Sequence, residues 1–166
     1  MQEESLSLGA QIDQQDEEEN AQERIQLCIF ELSDRLFGLN ISDVQEIDDM
    51  EDAEFTPVPR TPHFLRGVIN LRGNIVPIVD IREVLNLPLK PPSRESRIMI
   101  LNIKKVRIGI LVDAISEVTH IEKLEVQPES EQIGISDGQF IANIIQYKDG
   151  FLVLLDLENL YHAIQL

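Results

Sequence analysis

The strongest constraint on the fold is that the chain repeats itself. Laid without a gap over Phe140–Ala163, the stretch Phe64–Leu87 puts Phe64 on Phe140, Ile69 on Ile145 and Asp80 on Asp156, and twelve pairs between Phe64/Phe140 and Leu85/Tyr161 are apolar in both copies. A second stretch, Phe37–Ile47 over Ile108–Val118, matches Gly38 with Gly109 and Glu46 with Glu117, with five further pairs apolar in both. The two offsets differ by five residues, a loop-length difference, and both matches occur in the same chain order. Self-similarity of this kind predicts two structurally similar units, approximately 37–87 and 108–163.

Within the repeat the apolar residues recur with a period of two or in short β-branched runs. Val68-Ile69, Ile75-Val76, Ile78-Val79, Ile98 to Ile103, Ile108 to Val112 and Phe151 to Leu155 are bounded by Gly, Asn, Lys or Pro, as buried strands are. Ile25, Leu27 and Ile29, then Phe30 and Leu32, predict a further strand with a shift of face. Helical spacing is brief, at Ile81, Val84, Leu85 and at Leu157, Leu160, Tyr161, and each follows an aspartate suited to N-capping, Asp80 and Asp156. The expected fold is therefore mainly β with one or two short helices. Units of roughly 60–70 residues bury too little surface to be stable alone. Closing each into a barrel removes exposed edges, and packing the two side by side supplies the missing core.

Charge divides the chain. The formal net charge is −16, and residues 1–24 carry −7 of it with few apolar side chains, so 1–24 is expected to be a disordered acidic tail and 25–166 the folded domain. A second acidic run, Asp48 to Glu54, leads into a proline-rich loop at Thr56–Pro62. The acidity opposes a nucleic-acid binder, including the oligonucleotide-binding role that small barrels often take, and it opposes a polybasic attachment to lipid. No apolar run approaches the ~20 residues that cross a bilayer, and no signal peptide is visible.

The inventory for chemistry is close to empty. His63, His120 and His162 have no metal-ligand spacing, and Cys28, the only cysteine, sits in an apolar strand pattern as a packed thiol. No nucleophile elbow, phosphate-binding loop or dinucleotide turn occurs. Asp80 and Asp156 occupy equivalent repeat positions, which points to capping instead of a carboxylate pair. No catalytic residue, metal or cofactor is expected. Glycines 38, 67, 73 and 109 read as turn or close-packing positions. Arg72, beside Gly73 at the lip of a hairpin, is placed either to anchor a partner through both arms of its guanidinium or to pair with a local carboxylate.

Phe37-Gly38-Leu39, Val44-Gln45-Glu46-Ile47, Pro59-x-x-Pro62-x-Phe64 and the run Gly67–Arg82 together resemble the CheW-like family of chemotaxis coupling proteins. The likeness continues through Gly109–Val118 and ends at Leu155-Asp156-x-Glu158-x-Leu160, covering about 25–163. The resemblance implies two five-stranded SH3/OB-like barrels with partly exchanged elements. It also implies a non-enzymatic adaptor joining the cytoplasmic tip of methyl-accepting chemoreceptors to the regulatory domain of a CheA-type histidine kinase. Such an adaptor is cytoplasmic and is recruited to membrane receptor arrays without contacting lipid. Carried over by position, Glu46, Arg72, Ile98, Ile108 and Val118 are expected at the receptor-binding groove, and Ile41, Val44 and Gly67 on the kinase-facing side. This chain departs from the family at Asp48, where a basic residue is common, and at Asn143, where the second repeat's counterpart of Gly67 is usually glycine and asparagine would tolerate the same turn. The acidic patch leaves open a related array that controls pili or surface motility.

Overall fold

A computed structural model describes residues 24–50, 55–122 and 138–164. The expected disordered tail lies outside the described residues, apart from Arg24, which opens the first strand. Ten strands run in chain order: β1 (Arg24–Leu32), β2 (Arg35–Asn40), β3 (Val44–Asp49), β4 (Leu65–Leu71), β5 (Asn74–Val79), β6 (Arg97–Ile103), β7 (Val106–Val112), β8 (Ala114–Glu122), β9 (Ile141–Tyr147) and β10 (Gly150–Leu155). Two short helices follow the second hairpin of each half, α1 (Ile81–Val84) and α2 (Leu157–Ala163). Asp80 and Asp156 are their N-caps, accepting from the backbone N–H of Arg82 and of Asn159.

The strands form two five-stranded sheets, ordered β8-β1-β2-β10-β9 and β3-β6-β7-β5-β4. Substituting repeat equivalents makes the two orders identical. The repeat units 37–87 and 108–163 do not each build one sheet, however. The first unit gives β2 to one sheet and β3, β4, β5 to the other; the second gives β7 to one and β8, β9, β10 to the other. Each sheet is thus assembled from both halves of the chain, and parallel pairing occurs where the halves meet, at β2–β10 and β5–β7.

Duplication extends to the irregularities. A bulge leaves Gln45 unopposed in β3 against β6, and its equivalent Ser116 unopposed in β8 against β1. A second bulge falls at Arg66 in β4 and at its equivalent Ala142 in β9. Bulges turn a strand sharply and raise its twist, so paired bulges bend both sheets in the same places.

Strand periodicity sorts the core into three parts. In β1, Leu27 and Ile29 face a small core within their own sheet, while Cys28, Phe30 and Leu32 face a larger core shared by both sheets. The expected change of face in this strand is thus regular alternation with both faces buried. In β6, Ile98 and Ile100 face the second sheet's own core, and Met99, Leu101 and Ile103 the shared one. Burial on both faces is why these strands read as unbroken apolar runs. Gly38 and Gly109 sit where a strand backbone passes closest to the opposite wall: an added Cβ would lie 2.8 Å from Leu154 Cδ2 and 2.4 Å from Ile78 Cδ1, respectively.

A polar clamp ties the sheets together. Arg82, with a side chain 8% exposed, donates through Nε and Nη2 to the fully buried Asp80 (2.9 and 2.7 Å) and through Nη1 to Asp113 (3.1 Å) and the Lys90 carbonyl (3.2 Å). Asp113, the single residue between β7 and β8, also accepts from the Ser33 N–H in the β1–β2 turn at 2.7 Å. Its own N–H donates to the Glu31 carbonyl. Burial is the largest influence on Asp80 and pushes its carboxyl up, but the hydrogen bonds and charge of Arg82, helped by Arg66, outweigh it and hold Asp80 below the usual carboxylate range. Bonding to Asp80 pushes Arg82 upward in turn.

Candidate functional site

The β4–β5 hairpin turns on two residues, Arg72 (φ 51°) and Gly73 (φ 86°), both in the left-handed region that a tight two-residue hairpin requires. The Asn70 side chain accepts from the Gly73 N–H at 2.9 Å and steadies the turn. This conformation sends Arg72 across to Glu46 on β3, where its Nη1 and Nη2 donate to Oε1 and Oε2 at 3.0 and 3.3 Å. Strands β3 and β4 are the two edges of their sheet, so the fork joins one edge to the other and closes the sheet at this rim. Beside it lies an open cleft of about 720 Å³, lined by Glu46, Asp48, Ile69, Leu71, Arg72 and Ile98 among others.

The second sheet carries an equivalent ion pair across its edges, a single contact without the fork's two hydrogen bonds. Lys148, the repeat equivalent of Arg72, also has positive φ (53°) at the β9–β10 turn and reaches Glu117 of β8 at 3.3 Å. Apolar side chains flank both ion pairs in matching positions: Ile47 and Val118 beside the glutamates, 38% and 48% exposed, and Ile75 and Phe151 beyond the turns, 73% and 45% exposed. Four of the seven exposed large apolar side chains among the described residues stand at repeat-equivalent places around the two ion pairs, which makes the rims candidate contact surfaces.

The residues expected at the receptor groove divide accordingly. Glu46 and Arg72 form the fork itself, and Ile98 is the fully buried floor of the adjoining cleft. Val118 is exposed, but on the other sheet, next to Glu117. Ile108 does not reach the surface: it is 5% exposed in the shared core, because β7 is central in its sheet and covered on both faces. Of the kinase-facing set, Ile41 and Val44 pack half-buried against the shared core. Gly67 is buried beneath the crossing backbone of Thr56, whose carbonyl oxygen would lie 2.7 Å from an added Cβ. With φ +150° and two backbone hydrogen bonds between Thr56 and Val68, Gly67 lets the proline-rich loop cross β4. Asn143 takes no positive φ, so the expectation of the same turn in the second repeat is corrected: the bulge recurs there without left-handed backbone.

Sequence reasoning missed Lys148, Ile47, Ile75 and Phe151. The repeat alignment itself held the signal, since it pairs Arg72 with Lys148, Ile47 with Val118 and Ile75 with Phe151. Among the described residues no group of three or more His, Cys, Asp or Glu is placed to hold a metal ion, and no helix is long and apolar enough to cross a membrane. Cys28 is buried in the shared core, where burial pushes its thiol up and away from the reactive form.

Comparison with known proteins agrees with this architecture. The chain is 31% identical over 136 residues to a probable chemotaxis protein CheW of Rhizobium etli, covering 82% of this chain and 86% of that one. It is 28% identical over 150 residues to the chemotaxis protein CheW of Treponema pallidum, covering 87% and 86%. The crystal structure of the scaffolding protein TtCheW of Thermoanaerobacter tengcongensis superposes with a TM-score of 0.72 at 32% identity, over 80% of this chain and 84% of that one. A family model described as the CheW-like domain matches residues 26–165, nearly all of the chain beyond its acidic start, and the protein belongs to that family.

Proposed function

We propose that this chain is a non-enzymatic adaptor that holds the cytoplasmic tips of chemoreceptors together with the regulatory domain of a CheA-type histidine kinase. One observation carries the reading: two contact rims of the same construction stand on one body with a shared core, and each is closed by a cation–glutamate pair flanked by exposed apolar side chains. A protein that transforms a substrate needs one site with convergent reactive groups; a protein that bridges partners needs two surfaces and a rigid span between them. Both sequence relatives compared above over more than four-fifths of the chain are named chemotaxis proteins, and the relative of known structure is named a scaffolding protein. That favours chemotaxis over pilus control.

Bridging is sufficient as a mechanism. Holding receptor and kinase on one body raises their effective concentration, and a rim that binds one receptor state better than another passes that difference to the kinase. The rim at Glu46 and Arg72 is assigned to the receptor. In this reading the protein works in the cytoplasm, drawn to receptor arrays through its partners. The test is kinase activity reconstituted with receptor, kinase and adaptor. Arg72→Ala is expected to abolish receptor control of the kinase while the circular dichroism spectrum and melting temperature stay close to those of the unmodified protein. Full receptor control with that variant overturns the assignment.

A further inference from the structure

The cleft beside the Arg72–Glu46 fork is unevenly neutralised. Three carboxylates line it, Glu46, Asp48 and Asp49, all from β3. Glu46 is met by Arg72, and Asp49 by Arg97 Nε of β6 at 3.1 Å. Among the described residues no ion pair meets Asp48; Glu46 stands two residues before it on the same face of β3, and Arg72 acts on it only through its charge at longer range. Ile69 and Leu71 give the cleft an apolar side, with Thr56 and Asn70 among its polar lining. A cleft with an apolar side and a carboxylate that no ion pair meets is complementary to a segment that sets one cation beside apolar side chains.

We propose that this cleft selects a chemoreceptor tip presenting a lysine or arginine between apolar side chains, with that cation seated on Asp48. The inference rests on the receptor assignment of this rim and adds the charge of the residue the rim accepts. In the free protein Asp48 is disfavoured as an anion: burial is the largest influence, followed by the charge and hydrogen bond of Glu46 and, more weakly, the charge of Asp49, while Arg72 acts in the opposite sense. The groups facing it are therefore Glu46 and Asp49 on its own strand and Arg72 from the hairpin tip, with Arg97 reached through Asp49. Its pKa is raised above the ordinary aspartate value, so binding of the partner's cation weakens as pH falls and Asp48 takes up a proton.

The experiment is isothermal titration of the full chain with the signalling-tip fragment of a chemoreceptor from the same genome, at mildly acidic and mildly alkaline pH. The variants are Asp48→Asn and Arg72→Ala. Asp48→Asn keeps the shape of the side chain and removes its charge, and its melting temperature, expected to match that of the unmodified protein, separates a loss of charge from a loss of fold. The expected result is roughly tenfold weaker binding for Asp48→Asn at alkaline pH, with the pH dependence of the unmodified protein gone. Neutralising the basic residue on the tip fragment should weaken binding to the unmodified chain but not to Asp48→Asn. Unchanged binding by Asp48→Asn, with binding lost in Arg72→Ala, overturns the charge selection and leaves the receptor rim standing. No binding of the tip fragment by the unmodified chain overturns the receptor assignment and this inference with it.

Discussion

Replacing Arg82 by methionine keeps most of the side-chain volume and removes the charge that compensates Asp80. Two hydrogen bonds to Asp80, one to Asp113 and one to the Lys90 carbonyl disappear. The fully buried carboxylate keeps only the Arg82 backbone N–H at 3.1 Å and Arg66 Nη2 at 3.2 Å. Removing one partner of a buried pair costs about 3–5 kcal/mol, and the residual contact with Arg66 puts this case at about 3 kcal/mol. For a chain of this length that lowers the melting temperature by roughly 6–12 °C. The loss has a signature in pH. Asp80 in the intact protein is held below its unfolded value, so its stabilising contribution is fully present above the ordinary aspartate pKa of about 3.9 and fades as pH falls through the folded value. In the variant, burial acts on Asp80 with little opposition, and protonation relieves the strain. The gap in stability between intact and variant protein should therefore be widest at neutral pH and narrow below about pH 4. Urea unfolding at pH 7 and pH 3.5 measures both gaps. Equal gaps at the two pH values would mean that the clamp acts through packing alone and would refute the electrostatic account.

The remaining expectations concern single positions. Gly67→Ala should destabilise by about 2–3 kcal/mol in urea titration, because the added Cβ meets the Thr56 carbonyl at 2.7 Å in a backbone conformation that L side chains rarely adopt; a loss below 0.5 kcal/mol would show that the proline-rich loop moves aside freely. Phe151→Ala should leave the melting temperature nearly unchanged, since the ring is 45% exposed, yet weaken binding of whichever partner docks on the β9–β10 rim, read as slower association and faster release by surface plasmon resonance. Unaltered binding of both kinase regulatory domain and receptor tip by that variant would remove the second rim from the account.

Much of the fold was legible in the sequence for one reason: a duplicated chain must place equivalent residues in equivalent surroundings. Asp80 and Asp156 cap equivalent helices, Gly38 and Gly109 line equivalent tight walls, and the apolar runs at Ile98–Ile103 and Ile108–Val112 are strands buried on both faces. What the pattern hid was exchange. Periodicity reports which face of a strand is apolar but not which sheet the strand joins, so the exchange of elements was legible only through the family resemblance and not in the repeat itself. Side-chain depth was hidden likewise: Ile108 reads the same whether it lies under a groove or lines it. The pairing of Arg72 with Glu46 spans 26 residues and depends on the left-handed turn at Arg72, which local sequence does not announce. Nothing in the sequence marked Arg82 as a clamp, and only its contact with Asp113, across 31 residues, reveals one.

The claim beneath all of this is that one molecule is occupied at both rims at once. Sedimentation velocity of the full chain mixed with a receptor signalling-tip fragment and the kinase regulatory domain tests it most directly. The account predicts a three-component species heavier than either binary complex, lost on Arg72→Ala with the kinase-bound pair intact. Mutually exclusive binding, in which one partner displaces the other, would contradict it.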